Sequence, residues 1–406
     1  MMLDYDVLVI GGGAAGFFAA VNTAKQNPGL RIGIFERGNT VLLKVKISGG
    51  GRCNVTHAEF VPNTLATHYP RGEKELKGPF HSFMTAETMD WFESRGIALK
   101  VEADGRVFPE SDSSQTIIDC FLKEVDHYGI DLKKNHAVRA VSQIKNGWKL
   151  ATTQGDFSCC KLMIATGSNP KIWKMLENIG LDIVSAVPSL FTFNIIDDRL
   201  KDIPGVVAKN VFVEVLGTTL NSDGPLLVTH SGLSAPAILK LSAFGAIALA
   251  NLNYEFEIRI NFVQQHSADC LQTLLERKPN YSKKRLVNTP LYELPKRLWS
   301  KLLQAAEIPV HTSWADVSKA QLLALSNQLT AAVFQVHGKS TFKEEFVTAG
   351  GINLKEINFK TFESKRFKNL FFAGEILNID GVTGGFNFQN AWTGAYLAAQ
   401  ELSKVQ

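Results

Sequence analysis

Cysteine is scarce and its spacing unhelpful for cross-linking: five residues, no CxxC, and two of them, Cys159 and Cys160, side by side. Neighbouring cysteines are poorly placed to bridge, so the pattern suits a reducing compartment. It also argues against chemistry run through a redox dithiol. Long apolar runs are missing as well, and none approaches the ~18 residues of a membrane span. The first residues, Met-Met-Leu-Asp-Tyr-Asp, enter a glycine-rich turn at once, without the basic segment and cleavage site of a signal peptide. Cytoplasmic residence is therefore expected. No internal repeat or low-complexity linker is evident.

What is present is ordinary in bulk. Hydrophobic residues make up 45% and charged residues 20% of the 406, a balance typical of globular chains, and the length exceeds one core. Charge is uneven, however. Arg277, Lys278, Lys283, Lys284, Arg285, Lys296, Arg297 and Lys301 face only Glu276 and Glu293 over the same stretch, a local +6 within a net charge of +4. Either this is a solvated helical face or it is a patch for phosphates, nucleic acid included.

Val7–Ile10 and Arg31–Glu36 read as short buried strands around a helix over about Ala14–Gln26, stopped by Asn27-Pro28-Gly29. That is a βαβ opening to a parallel sheet. Its turn, Gly11-x-Gly13-x-x-Gly16, lets backbone approach a pyrophosphate at a helix N-terminus. Glu36 lies twenty residues beyond Gly16, where a carboxylate accepts ribose hydroxyls. Lys161–Ala165 is a further strand ending at Thr166-Gly167. The stretch from Phe191 to Ala250 reads mostly as strand, and Ser267 to Gln328 as helix with Leu294, Leu298, Leu302 and Leu303 on one face. Strand pattern resumes after Thr341.

The far end repeats the theme of the near one. Leu370–Ala373 leads into Gly374-Glu375 and then Gly384-Gly385-Phe386, which opens a helix with Phe388, Ala391, Trp392, Ala395 and Ala399 at core spacing. A helix start aimed at a flavin N1/C2=O edge would stabilise the anion formed on reduction, which favours FAD over NAD. The plain alternative is a glycine-rich helix start packed on the sheet. Between the ends stands Lys46-Ile-Ser-Gly-Gly-Gly-Arg-Cys-Asn54, whose glycines suggest backbone lying on a flat ligand. Cys53 is either a proton donor beside a flavin or a small buried residue. Cys53-x-x-x-His57 offers two metal ligands without companions, so no metal is expected.

These strings carry a resemblance. With Gly105-Arg-Val-Phe-Pro109, Leu227-Val-Thr-His-Ser-Gly-Leu-Ser234, Thr348-Ala-Gly-Gly-Ile352 and Glu363-Ser-Lys365, the chain resembles the BaiN/RdsA-like (YhiN-like) family of NAD(P)/FAD-dependent oxidoreductases along nearly its whole length. It departs from that pattern at Ala235, where the family usually has glycine, and at Asn378, often aspartate. The resemblance implies an α/β fold: a Rossmann-like FAD domain with a parallel sheet, an inserted β-rich, barrel-like domain and a small helical domain. The expected boundaries are 1–190 and 346–406 for the FAD domain, 191–265 and 329–345 for the β-rich part, and 266–328 for the helical part. Ser48–Asn54 and the Gly384 region would border the isoalloxazine, facing the insertion.

Motifs and resemblance together nominate a cofactor set. It comprises Gly11, Gly13, Ala14, Ala15, Gly16, Glu36 and Arg37 near the N-terminus. Lys46, Ser48, Gly49, Gly50, Gly51, Arg52 and Asn54 follow, then Thr166 and Gly167. Gly374, Glu375, Gly384, Gly385, Phe386 and Asn387 complete it. The catalytic candidates are Cys53, His230 and Arg106. His230 is equally readable as a turn histidine, and Arg106 as an anion contact or a turn cap. No second GxGxxG occurs, so NAD(P)H, if used, binds transiently and leaves before substrate enters. Described members of the resembling family reduce C=C bonds of bile-acid intermediates, form dihydrouridine in ribosomal RNA, or oxidise aminoacetone. The first two share hydride addition with protonation of the neighbouring carbon. A small molecule or ribosomal RNA is thus the expected partner, and a non-catalytic redox-sensing flavoprotein the remaining alternative.

Overall fold

A computed structural model describes residues 3–340 and 347–405. Contacts divide the chain into two units, Met1–Val187 with Val347–Gln406, and Pro188–Phe346.

In the first unit, strand β1 (Tyr5–Ile10) is buried almost throughout and runs into helix α1 (Ala14–Gln26), which returns to strand β2 (Ile32–Phe35). β1 pairs in parallel with β2 on one side and with the strand Gly155–Ile164 on the other. Asp131–Lys133 extends the parallel set beyond β2, and Leu370–Phe372 extends it beyond Gly155–Ile164. The sheet becomes mixed at its margin. The strands Ile357–Asn358 and Glu363–Ser364 join antiparallel, and the hairpin Val138–Ile144/Gly147–Thr152 pairs antiparallel to Gly155–Ile164. Consecutive apolar residues in β1, Val7–Ile10, fit a strand covered on both faces.

The C-terminal helix Phe386–Leu402 packs against α1, so the two chain ends share a core. Phe18 of α1 lies 5.1 Å from Trp392 and 4.6 Å from Trp91, and Phe121 stacks on Trp392 at 5.7 Å. Polar tips within this core find partners, as aromatics with a polar handle require when buried. Trp392 Nε1 donates to the Val55 carbonyl and Trp91 Nε1 to Asn22 Oδ1. Of the expected core positions on the C-terminal helix, Phe388 alone is half-buried, its ring lying flat on Trp392.

The second unit is an antiparallel sheet closed through one run of chain. Ala332–His337 pairs with Glu255–Asn261, while Lys339–Ser340, just past Gly338 (φ +104°), pairs with Thr192–Asn194 at the other end of the strand order. One segment thus joins both edges, the barrel-like closure that removes free edges. Residues 341–345 of the expected return strand lie outside the described residues. The stretch from Phe191 to Ala250 is not mostly strand in its second half. Helices Pro236–Phe244 and Ala246–Asn251 occupy it, their Ala237, Ile238, Leu241 and Leu249 buried. The helices Ser267–Asn280, Lys296–Ala305 and Lys319–Thr330 contribute Leu274, Leu298, Trp299, Leu302 and Leu325 to the same core as the strands. Among the described residues, no helix is long and apolar enough to cross a membrane.

Candidate flavin site

The N-terminal turn is a close approach that only glycine permits. A Cβ on Gly11 would stand 2.4 Å from the Ala165 carbonyl oxygen, and one on Gly16 would stand 2.0 Å from that of Gly11. Gly13 differs: nothing lies within 4 Å of where its Cβ would be. It is the N-cap of α1, with no side-chain cap and no acid in the first turn, so the helix start keeps free N–H groups beside open space. Ala14 and Ala15 begin the helix, with Ala15 buried. The Glu36 carboxylate accepts the N–H groups of Gly12 and Gly38, each at 2.9 Å, which fixes it beside the turn with lone pairs to spare. Arg37 is exposed.

Helix α2 (Leu43–Gly51) includes most of the second string and breaks inside it. Ser48 is extended (ψ 149°), and Gly49, Gly50 and Gly51 all have left-handed φ, at +57°, +68° and +85°. Backbone of this kind, without side chains and outside a regular helix, is suited to lie against an anion or a ring edge. Gly50 and Gly51 are exposed with nothing near a notional Cβ, whereas a Cβ on Gly49 would meet the Phe108 ring at 2.8 Å. Lys46 is exposed, and its carbonyl accepts from Ser114 Oγ. Arg52 lies over Phe108 at 3.9 Å and pairs with Glu102 at 2.6 Å. Arg106 reaches the same Glu102 at 3.1 Å and Asp104 at 2.8 Å. Cys53 takes a left-handed φ of +63° and is fully buried, and burial pushes its thiol up to about 12.

The C-terminal string comes to the same place. Asn54, with its amide oriented by its neighbours, accepts the Gly385 N–H at 2.9 Å and donates to the Thr56 carbonyl at 2.9 Å. Gly385 (φ +95°) is the N-cap of the C-terminal helix, and a Cβ there would stand 2.5 Å from the Thr56 carbonyl oxygen. That helix start has no side-chain cap of its own and no acid in its first turn. His57 Nδ1 donates to the Gly384 carbonyl at 3.1 Å, and the buried Phe386 stacks on both His57 and His68, at 4.6 Å and 4.2 Å. Asn387 serves the loop before it, making two hydrogen bonds to the Gly381 backbone. Gly374 has φ +76°, and Glu375 forms an ion pair with Lys44 of α2. Gly167 (φ +63°) comes within 3.5 Å of Glu375 Oε2, measured from its notional Cβ.

Several features fit an FAD here. Thr166 Oγ1 is buried without a hydrogen-bond partner at the end of the strand neighbouring β1, a position that a ligand atom would satisfy. Two uncapped helix starts, the open face over Gly13 and the left-handed glycine run all lie within the first unit, and Asn54 ties the glycine string to the C-terminal helix start. Two partners were not evident from the sequence, His68 and the shared Glu102, and His57 was singled out only as a possible metal ligand. His57 also explains Gly105 in the Gly105–Pro109 string, since a Cβ there would stand 2.6 Å from its Nε2. Of the catalytic candidates, Cys53 and Arg106 belong to this unit. His230 belongs to the other, exposed in a turn that Thr229 closes by accepting the Gly232 N–H. No cluster of three or more metal-ligating side chains occurs among the described residues.

Comparison with known proteins identifies the family. The HI0933-like protein Rossmann domain matches residues 5–401. The chain is 30% identical to the ribosomal RNA dihydrouridine synthase of Escherichia coli (strain K12), covering 99% of this chain and 98% of that protein. It is 23% identical to the 3-dehydro-bile acid delta(4,6)-reductase of Clostridium scindens, covering 97% of each. Among solved structures, 3-ketosteroid delta1-dehydrogenase from Sterolibacterium denitrificans shares the fold, with a TM-score of 0.50 at 10% identity over 98% of this chain and 99% of that one. The fold and the relatives are those of FAD-dependent oxidoreductases. A glycine turn at each end, a kinked glycine string between them and a match spanning almost every residue lead to one conclusion: the chain belongs to the HI0933-like Rossmann family.

Proposed function

We propose that this protein is an FAD-dependent reductase that draws electrons from NAD(P)H and saturates an activated C=C bond, its substrate a uridine of ribosomal RNA. The observation that carries the reading is the Asn54–Gly385 hydrogen bond, which brings the glycine string and the C-terminal helix start to one place. When bound, FAD supplies hydride from N5 to one carbon of the alkene while the neighbouring carbon takes a proton. The chain's own part is holding and orienting. Gly13 and the start of α1 take the pyrophosphate, and Glu36, fixed by two amides, takes the ribose hydroxyls. Thr166, Glu375 and the Ser48–Gly51 backbone line the rest, and the C-terminal helix start favours negative charge at the ring edge.

The proton source is assigned to the Ser48–Asn54 string, with Cys53, a thiol protonated at neutral pH, as its candidate. Arg106 is a candidate contact for an anionic substrate group in the first unit, and His230, a turn histidine of the second unit, is a separate catalytic candidate. Without a second dinucleotide motif, nicotinamide binds and leaves before substrate enters. Nearly full-length likeness to dihydrouridine synthases favours RNA. The bile-acid relative supports a second reading, a small enone as substrate.

The first test is the spectrum of the purified protein under anaerobic NADPH or NADH. A flavin that neither donor bleaches within turnover time removes the reductase reading. Dihydrouridine profiling of ribosomal RNA from a deletion strain tests the substrate, and an unaltered profile removes RNA. Cys53→Ala, followed by oxidation of the pre-reduced flavin with substrate, tests the thiol. An unchanged rate takes Cys53 out of the mechanism.

A further inference from the structure

We infer that the second unit carries a phosphate-binding surface for a folded RNA, made by Arg277, Lys283, Lys284, Arg285, Lys296 and Arg297. All six side chains are exposed, and among the described residues none of them is in an ion pair with an acid. The nearest acids in sequence are engaged elsewhere: Glu293 pairs with Lys209 and Glu276 accepts from Gln272. The other two cations of the stretch behave differently. Lys278 Nζ donates to the Val317 carbonyl, and Lys301 is only half-exposed. Glu276 and Glu293 remain exposed, so six cations against two acids leave this stretch predominantly positive towards water.

Internal bonds draw the basic segments onto one face. Trp299, a turn into the helix Lys296–Ala305, donates from Nε1 to the Leu286 carbonyl, and Lys296 Nζ donates to Asn288 Oδ1. These contacts set the helix start carrying Lys296 and Arg297 against the turn that follows Lys283–Arg285. Arg285 is itself held by a strand-like bridge to Ser313, and Lys284 lies 5.2 Å from the Tyr281 ring. The arrangement is not what helix stability alone selects. Lys296 and Arg297 occupy the first turn, where the macrodipole repels cations, and Pro295 gives no side-chain cap. An anionic partner across this face relieves that repulsion.

Several fixed cations without counter-acids suit a polyanion with repeated phosphates better than a single small anion, because each phosphate neutralised releases counterions. A folded RNA supplies that spacing and matches the substrate proposed above, on which this inference rests. The surface would bind backbone and so position the RNA, leaving choice of base to the flavin site.

The test uses the full-length holoprotein, wild type and with Lys283→Gln, Arg285→Gln and Arg297→Gln combined, flavin content serving as the fold check. Binding of a ribosomal RNA transcript is measured across salt concentrations. Losing three phosphate contacts lowers the log–log salt slope by about 2–3 and weakens binding between about tenfold and a hundredfold near 0.1 M salt. Wild-type affinity and slope in the variant overturn the surface while leaving the RNA reading intact. If the wild-type protein binds no transcript yet NAD(P)H bleaches its flavin, surface and RNA reading both fall and the reductase stands. If the substitutions abolish binding only to vesicles of anionic lipid, the surface belongs to a membrane and the inference is wrong.

Discussion

Ala235 holds φ +79° and ψ 176°, a region of backbone space that is almost exclusively glycine's. The resembling family usually has glycine at this point, so the methyl group is carried against strain. Ala235→Gly is expected to stabilise the second unit by about 1 kcal/mol, strain relief of roughly 1–3 kcal/mol less the entropy that glycine adds to the unfolded chain. A urea midpoint at or below the wild-type value would contradict this. Cys53 gives a second test at the same scale. Only a thiolate alkylates, and burial pushes this thiol up to about 12, so iodoacetamide at pH 8 should label it in urea but not in the native protein. Peptide mass spectrometry reads the difference, and rapid native labelling would show a thiol far less shielded. Because the folded value lies above the unfolded one, this group's contribution to stability is present at neutral pH. It is lost as pH rises from about 8.5 towards 12.

At the scale of elements, the C-terminal helix is held at both ends by residues far away in sequence. Lys161 Nζ donates to the carbonyls of Glu401 and Lys404 at 2.6 Å each and to that of Leu402 at 3.4 Å, closing the last turn. Lys161→Met should leave these acceptors unmet, destabilise the protein by about 1–3 kcal/mol, and speed amide exchange in that turn most. At the other end, Gly385→Ala puts a methyl into the Thr56 carbonyl at a left-handed φ, so the purified variant is expected to lose most of its flavin. Full flavin occupancy would show that the helix start is no part of the cofactor site.

What the sequence disclosed follows the same division. The β1–turn–α1 unit was legible, its strand starting two residues earlier than expected, because its evidence is local: an apolar run, three glycines and an acid at fixed spacing. The Ser48–Asn54 string announced glycine-rich backbone but not that it continues a helix and breaks it. Asn54 with Gly385, Arg52 with Glu102, and Phe386 between His57 and His68 join residues tens to hundreds of positions apart, and no spacing rule reaches them. Helix Pro236–Phe244 was hidden for another reason. It follows directly on a strand and the strained Ala235, inside a stretch whose alternation elsewhere reads as β.

For the whole molecule, the point of insertion matters most. The chain leaves the first unit along the strand Ile183–Ser189 and re-enters along Val347–Ile352, and these two strands pair with each other. Their ends are therefore close enough for a short linker. A chain with the second unit replaced by such a linker is expected to fold and retain FAD, while losing the RNA binding assigned to the basic face. Absence of flavin from a soluble, folded excised protein would mean that the inserted unit helps to hold the cofactor.

The same discontinuity orders events on the ribosome. The second unit has its own core in one uninterrupted stretch and can condense as soon as that stretch emerges. The first unit cannot. Strand Gly155–Ile164 waits for Leu370–Phe372, and α1 waits for the helix Phe386–Leu402, partners separated by most of the polypeptide. Early condensation of the insertion shortens that wait by shrinking the loop to be closed. Flavin capture then waits for the final helix, so that a nascent chain cut short before it is expected to remain colourless.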